Sequence, residues 1–395
     1  MSAAPASLPL RIGIAAAFDP RDMQADSGAA GAVLQAMAEI VAEAVPLSGA
    51  LPPRLRRLAH LSSVGTRLRP GDLGDPRAAA TRLHSAAQLG RPTIAARNRL
   101  MRRRLAHTGP LDGIVQRGCE MLLPSGQRFV TYEDSTVAQA LSYPWPHLQG
   151  LSAADVERYA ARQRRVYALA QACCACTHWA AGSITGSYGI AAERVFVVGL
   201  GQNHPPAEPS PRDWSVPRYL FVGVDWERKN GPAVVAAFQR VRELHPEARL
   251  DVVGGHPRLD VPGVVAHGPL SRTDPAEREL VASLYRAATA FVMPSLHEPA
   301  GIVYVEAGAA GVPSIGSTDG GAATMIGPGG RIVDPRDPEQ IYAAMLELAD
   351  PQAAQRLGDL ARGHASLFTW RQVAERLIRA LAIPGVDPTA LAEFL

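Results

Sequence analysis

Short apolar runs alternate with stretches of helical periodicity twice along this chain, and a proline-rich break separates the two series. Runs of that kind suit strands buried on both faces of a parallel sheet. In the first series, residues 10–17 predict a strand. A loop with Ser27, Gly28 and Gly31 follows, then an alanine-rich helix over 32–45. Residues 111–118 and 128–134 predict further strands. A helix starts at Ser152 with a Ser-x-x-Asp cap and runs on through Cys173 and Cys174. Residues 194–201 close the series as a strand. Residues 203–213 hold four prolines, which makes them a poor helix and a poor strand, so they predict a linker. Beyond it the alternation restarts with YLFVGVD, GPAVVAAFQRVREL and ARLDVVGG. VASLYRAATAFVMPS, GIVYVEAGAAG, VPSIGS and EQIYAAMLELAD complete it.

Alternation of this kind predicts an α/β chain of two Rossmann-like, doubly wound domains facing each other across a cleft at their strand ends. The expected ranges are 1–205 for the first domain and 215–375 for the second, with a helix in 376–395 packing back on the first. Two domains also suit 395 residues, more than a single core favours.

Composition narrows the function classes. With 47% hydrophobic and 19% charged residues the chain is neither disordered nor fibrous. A formal charge of +3 gives no general case for nucleic acid as a partner. The four cysteines, Cys119, Cys173, Cys174 and Cys176, have no histidine at zinc spacing and read as free thiols. No signal peptide and no membrane-spanning run is legible, so the expected location is the cytoplasm.

The segment PSLHEPAGIVYVEAGAAGVPSIGS is the most informative. Gly301 stands where a loop should turn into a helix, so the amides of Ile302 and Val303 face the loop mouth and favour an anion. Glu298, before that helix, can accept hydrogen bonds from sugar hydroxyls. Glu306, inside it, can do so from a ribose diol. Taken alone, two such glutamates read as a solvated loop residue and an ordinary helix residue; the Pro-x-Gly and the small-residue run specify a tight turn instead. At the start of the same domain, FVGVDWERKNG ends a strand at Gly223 and carries Arg228 and Lys229 to the sheet edge. Two fixed cations there would neutralise a diphosphate leaving group.

These two segments resemble the retaining glycosyltransferases of family four (glycosyl transferases group 1), which have the GT-B fold. The resemblance rests on Gly223 with Lys229, Pro294 and Ser295, Glu298 to Gly301, Glu306 with Ala307, and Gly311 to Pro313, and covers 215–375. It implies a nucleotide-diphosphate-sugar donor and no cofactor, with transfer to an acceptor hydroxyl, retention at the anomeric carbon and no metal. In that scheme Arg228 and Lys229 hold the diphosphate, Glu306 the ribose and Glu298 the transferred sugar, with Gly301, Ile302 and Val303 against sugar and phosphate. Val224 stands where the family often has arginine, and Ala300 where it often has an aromatic.

In the N-terminal half the resemblance places Ser27 and Gly28 in a loop facing the diphosphate. At the strand end where relatives carry histidine, this chain has Tyr132-Glu133-Asp134. Asp134 is the candidate to contact sugar or acceptor, with a helix N-cap as its ordinary reading; Thr136 shares that choice. Basic clusters fall at Arg54, Arg56 and Arg57, at Arg102 to Arg104, and at Arg162, Arg164 and Arg165. The stretch 52–69 is basic and amphipathic. It suits peripheral contact with anionic lipid at the inner membrane surface, as a lipid-linked or glycan acceptor would require, although a solvated helix face gives the same pattern. Competing readings are a nucleotide-sugar epimerase on the same architecture and a non-catalytic nucleotide-sugar-binding protein.

Overall fold

A computed structural model describes residues 8–64, 84, 87–143, 145, 148, 151–203, 212–271 and 273–395, the side chains of 59–64 excepted. Of the expected linker, residues 204–211 lie outside the described ones, as do 65–69 of the basic stretch. The chain forms two compact units: Met1–Val198 with Trp370–Leu395, and Gly199–Thr369.

Among its described residues the N-terminal unit has six strands: β1 (Leu8–Ala16), β2 (Val41–Ser48), β3 (Gly113–Arg117), β4 (Phe129–Glu133), β5 (Ala172–Ala175) and β6 (Val195–Val197). They pair in parallel in the order β2-β1-β3-β4-β5-β6. β3 and β4 are buried at every residue, as central strands of a parallel sheet are, although Gln116, Arg117, Thr131 and Glu133 are polar. Two expectations need correction. The helix after the first loop spans Ala29–Ala38, so 41–45, expected as helix, belong to β2. β2 is an edge strand with Ala42 and Glu43 exposed, so it lacks the apolar continuity that marks a buried strand, and the edge tolerates Pro46. The helix begun at Ser152 ends at Leu169, and Cys173 and Cys174 lie in β5. Its capping box is present: Ser152 accepts from the amide of Asp155, whose carboxylate accepts from Ser152. All four cysteines are buried free thiols.

The C-terminal unit repeats the plan with β7 (Arg218–Val222), β8 (Arg249–Val253), β9 (Val264–Gly268), β10 (Ala290–Val292), β11 (Ser314–Ser317) and β12 (Gly330–Val333). Their order is β12-β11-β10-β7-β8-β9, again all parallel. Aromatic rings fill its core. Tyr219 meets Phe238 at 6.0 Å and Phe291 meets Tyr304 at 5.8 Å, both edge to face.

The last helix, Trp370–Leu381, belongs to the N-terminal unit and packs on β3, β4 and β5. Leu381 lies so close to Gly113 that a Cβ there would come within 2.7 Å of it. Buried Arg376 donates to the carbonyl of Val198, and Arg128 donates to those of Leu381 and Ala382.

The strand orders locate the crevices. In the C-terminal unit the chain winds from β7 through β8 to β9, then crosses to the other side of β7 at β10. The loops leaving β7 and β10 therefore diverge to opposite faces, and the gap at their carboxyl ends is where open α/β sheets take ligands. The N-terminal unit has the same switch between β1 and β3.

Candidate active site

The loop that leaves β7, residues 223–230, is folded tightly over the strand end. A Cβ on Gly223 would come within 2.8 Å of Lys229 Cγ, so glycine is what lets Lys229 fold back there. Asn230, with φ of 62°, donates from its amide to the carbonyls of Pro294 and Pro335. That pins the loop to the segment following β10. Leu296 donates to the carbonyl of Arg228 at 2.9 Å, and Arg228 Nη1 donates to the carbonyl of His297 at 3.0 Å.

The result brings both expected cations to Glu298. Lys229 Nζ donates to Glu298 Oε2, and Arg228 Nη1 lies 3.7 Å from the same oxygen. Glu298 is 7% exposed. Its backbone is fixed by the loop after β11: its amide donates to the carbonyl of Asp319 and its carbonyl accepts from Gly321. Gly320, with φ of 127°, approaches so closely that a Cβ would collide with the Glu298 carbonyl. Burial lowers the pKa of Lys229; Glu298 partly offsets this, and Arg228 adds to the lowering. Burial also takes His297 down to about 4, so its ring is neutral at pH 7.

Gly301, with φ of 84°, turns the chain into helix Ile302–Ala309. A side chain there would strike the ring of Tyr304, whose hydroxyl donates to the Met293 carbonyl at 2.6 Å. The Tyr304 amide bonds back to the Gly301 carbonyl, which leaves the amides of Ile302 and Val303 as the first-turn donors of this helix. Glu306 is 8% exposed and accepts from Tyr285 at 3.4 Å. Gly223, Arg228, Lys229, Glu298, Gly301, Ile302 and Val303 therefore share one crevice edge, with Glu306 deeper along the helix. Asn230, Tyr285, Asp319 and Gly320 were not singled out in the sequence. An Asn-Gly-Pro helix start and a Gly-Gly pair were the available signals.

The remaining three expected residues gather in the N-terminal unit, around a residue not singled out in the sequence. Arg117, at the end of β3 and 7% exposed, donates from Nε and Nη2 to both carboxylate oxygens of Asp26, at 2.6 and 2.8 Å. Its Nη2 also reaches Asp134 at 3.2 Å, and its Nη1 the carbonyl of Tyr132 at 3.0 Å. Burial alone would weaken its hold on the proton, but Asp26 and Asp134 raise its pKa above the ordinary value. Asp26 and Ser27 have φ of 52° and 54°, a conformation that costs a non-glycine residue energy, and Gly28 follows at 83°. Asp134 is not the helix cap: Thr136 caps helix Val137–Leu141, with Gln139 completing the box.

Residues 216–350 match the family described as Glycosyl transferases group 1. That match falls wholly within the C-terminal unit. D-inositol 3-phosphate glycosyltransferase from Thermobifida fusca is 31% identical over 240 residues, 54% of this chain and 55% of that one. Glycogen synthase from Mycobacterium tuberculosis is 37% identical over 165 residues, 39% of this chain and 40% of its own length. The chain thus spans about half the length, or less, of these curated relatives. A glycosyltransferase structure from Rickettsia africae covers 94% of this chain and 98% of its own, with a TM-score of 0.58 at 13% identity, a likeness of fold. The two units of parallel sheets are those of the GT-B fold.

Proposed function

We propose that this chain is a glycosyltransferase that moves a sugar from a nucleotide-diphosphate donor to an acceptor hydroxyl, with retention and without a metal. The observation that supports it best is the convergence of Lys229, Arg228 and Glu298 beside the Gly301 turn, at the switch point of the C-terminal unit. In this reading a diphosphate takes the two cations and the Ile302 and Val303 amides. Lys229 then exchanges Glu298 for phosphate oxygens, and the released carboxylate accepts from sugar hydroxyls. Glu306 accepts from the ribose diol. The bond from anomeric carbon to phosphate oxygen breaks as the acceptor oxygen bonds to the same face, and the acceptor proton passes to the leaving phosphate. Cations fixed before the reaction stabilise the charge that grows on that phosphate. The relatives are named for D-inositol 3-phosphate and glycogen, so a polyol or glycan hydroxyl is the acceptor class we favour. Exposed Leu55 and Leu58 beside Arg54 and Arg57 favour peripheral contact with anionic lipid.

The test is thermal stabilisation by UDP, GDP, ADP, dTDP and CDP, with and without attached sugars. One diphosphate should raise the melting temperature, and Lys229→Ala and Glu306→Ala should each abolish the shift. Lys229→Ala should lower turnover of the matching donor roughly 100- to 1000-fold, the scale of one lost transition-state donor. A shift that survives both variants would remove this site from the reading. The anomeric configuration of the product, and turnover in chelator, then decide retention and metal dependence.

A further inference from the structure

Three tyrosines are buried among the described residues of the C-terminal unit: Tyr219, Tyr285 and Tyr304. A buried phenol must place its hydroxyl hydrogen, and most side-chain hydrogen bonds go to backbone or water. Two of the three follow that rule. Tyr219 donates to the carbonyl of Met345 at 2.7 Å, and Tyr304 to that of Met293 at 2.6 Å. Tyr285 instead directs its hydroxyl to the Glu306 carboxylate, 3.4 Å from Oε2. That separation is longer than an ordinary O–H···O bond, so the carboxylate is steered by the phenol without being consumed by it. Burial and the charge of Glu306 both raise the Tyr285 pKa well above its ordinary value, so the hydroxyl keeps its proton and donates.

Both side chains are held from behind. The Tyr285 ring stacks on Phe291 at 6.1 Å, and Phe291 meets Tyr304 edge to face. Tyr304 stands two residues before Glu306 in helix Ile302–Ala309, so these contacts tie that helix to the one carrying Tyr285, Pro275–Ala287. Arg212 joins the far ends of the same two helices. Its Nε and Nη2 donate to the carbonyls of Arg286 and Tyr285, at 3.1 and 3.3 Å, in the last turn of the first. Its Nη1 and Nη2 donate to those of Gly311 and Ala310, at 2.7 and 2.8 Å, just past the second. Burial, with Arg362 nearby, lowers the Arg212 pKa to about 10, which leaves it cationic at pH 7. A cation suits the negative ends of two helix dipoles. The spacing of Tyr285 and Glu306 is thus set by the fold rather than by a ligand.

We propose that Tyr285 is a positioning residue for the donor ribose, acting through Glu306. Its hydroxyl fixes the rotation of the carboxylate, so that the carboxylate meets the 2′ and 3′ hydroxyls together. This rests on the reading of Glu306 as the ribose carboxylate. Tyr285 itself touches no part of the donor in this scheme.

The experiment is calorimetric titration of the full chain with UDP, GDP, ADP and CDP and with their 2′,3′-dideoxy counterparts. Wild type should bind one ribonucleoside diphosphate and hold its dideoxy form more weakly. Tyr285→Phe keeps the ring and its stacking. It should weaken the ribo form roughly three- to tenfold, the scale of one hydrogen bond, and leave the dideoxy form within about twofold. Glu306→Gln should narrow the same preference, and adding Tyr285→Phe to it should change nothing further, because no carboxylate remains to be oriented. Equal weakening of both forms by Tyr285→Phe would mark a general packing role and overturn the proposal. So would a Tyr285→Phe effect that survives undiminished in the Glu306→Gln background. A preference lost in Glu306→Gln but intact in Tyr285→Phe would also overturn it, while leaving the ribose reading in place. A wild type that binds none of the four, or does not prefer the ribo form, would overturn the ribose reading and this inference with it.

Discussion

At the switch point of the C-terminal unit the two cations are consecutive residues of one loop, and the carboxylate they meet lies in a motif 69 residues on. At the N-terminal switch point a single arginine stands on a strand end. Its carboxylates come from two other loops, 91 residues before it and 17 after it. In the first crevice Lys229 and Arg228 share one buried glutamate, and the second carboxylate, Asp225 at 3.4 Å from Arg228, is half exposed, so an incoming diphosphate finds cations whose partners can give way. In the second, one buried cation serves two anions and a carbonyl, and little of its charge is left to offer. The same topology thus yields one crevice fit to bind an anion and another whose charges are spent on holding its own loops in place.

That contrast can be tested at its strongest point by removing the N-terminal cation. Arg117→Met leaves Asp26 and Asp134 facing each other without a counter-charge. After discount for the partial exposure of both carboxylates, denaturant unfolding should show a loss of about 2–3 kcal/mol. Nucleoside diphosphate binding, which the C-terminal cations should carry, should change little. Arg117→Lys should recover only part of the stability, because an ammonium cannot make the two-pronged contact with Asp26. A stability cost near zero would mean that the pairing holds nothing, and the contrast would collapse.

Smaller per pH unit is an effect beside the same crevice. Glu133, buried at the end of β4, accepts from Gln163 at 2.7 Å and from the Tyr167 hydroxyl, while its Oε1 has no partner. Burial raises its pKa from 4.5 to about 8. Between those values the folded chain keeps a proton that the unfolded chain has released, so stability must fall as pH rises through this window. The contribution from this group is at most roughly 1.4 kcal/mol per pH unit. Melts from pH 5 to 8 should show that slope in the wild type and lose most of it in Glu133→Gln, which keeps the shape and accepts the same two hydrogen bonds. An unchanged slope in the variant would assign the titration elsewhere.

The smallest effect separates Asp134 from its ordinary reading. Thr136→Ala should cost about 1 kcal/mol, as loss of a helix cap does, and Thr136→Ser should recover most of it. If Asp134→Ala produced the cap-like loss instead, Asp134 would return to a purely local role.

The sequence made most of the plan legible, for physical reasons that also explain the gaps. Central strands such as β3, β4 and β7 each carry consecutive apolar residues, and the cap at Ser152 announces its helix with side chains that bond their own backbone. β2 escaped because an edge strand with exposed Ala42 and Glu43 carries a helix-like composition. β5 escaped because Ala-Cys-Cys-Ala follows a helix without a break that a propensity argument can detect. At the candidate site, Gly223, Lys229, Glu298 and Gly301 are legible because one loop and one helix start bring them together, and glycine is needed where the backbone packs closest. Arg117 was not, since its partners are set by strand order rather than spacing. A lone arginine inside the buried run GIVQR was the signal available.

The return of helix Trp370–Leu381 to the first unit has a consequence for the order in which the molecule can be made. A ribosome releases residues in sequence, so Gly199–Thr369 emerges whole while the N-terminal sheet still lacks the helix that covers β3, β4 and β5. The first unit to begin synthesis is therefore the last able to finish folding, and until then the nascent chain shows cellular chaperones an apolar sheet face around Gly113.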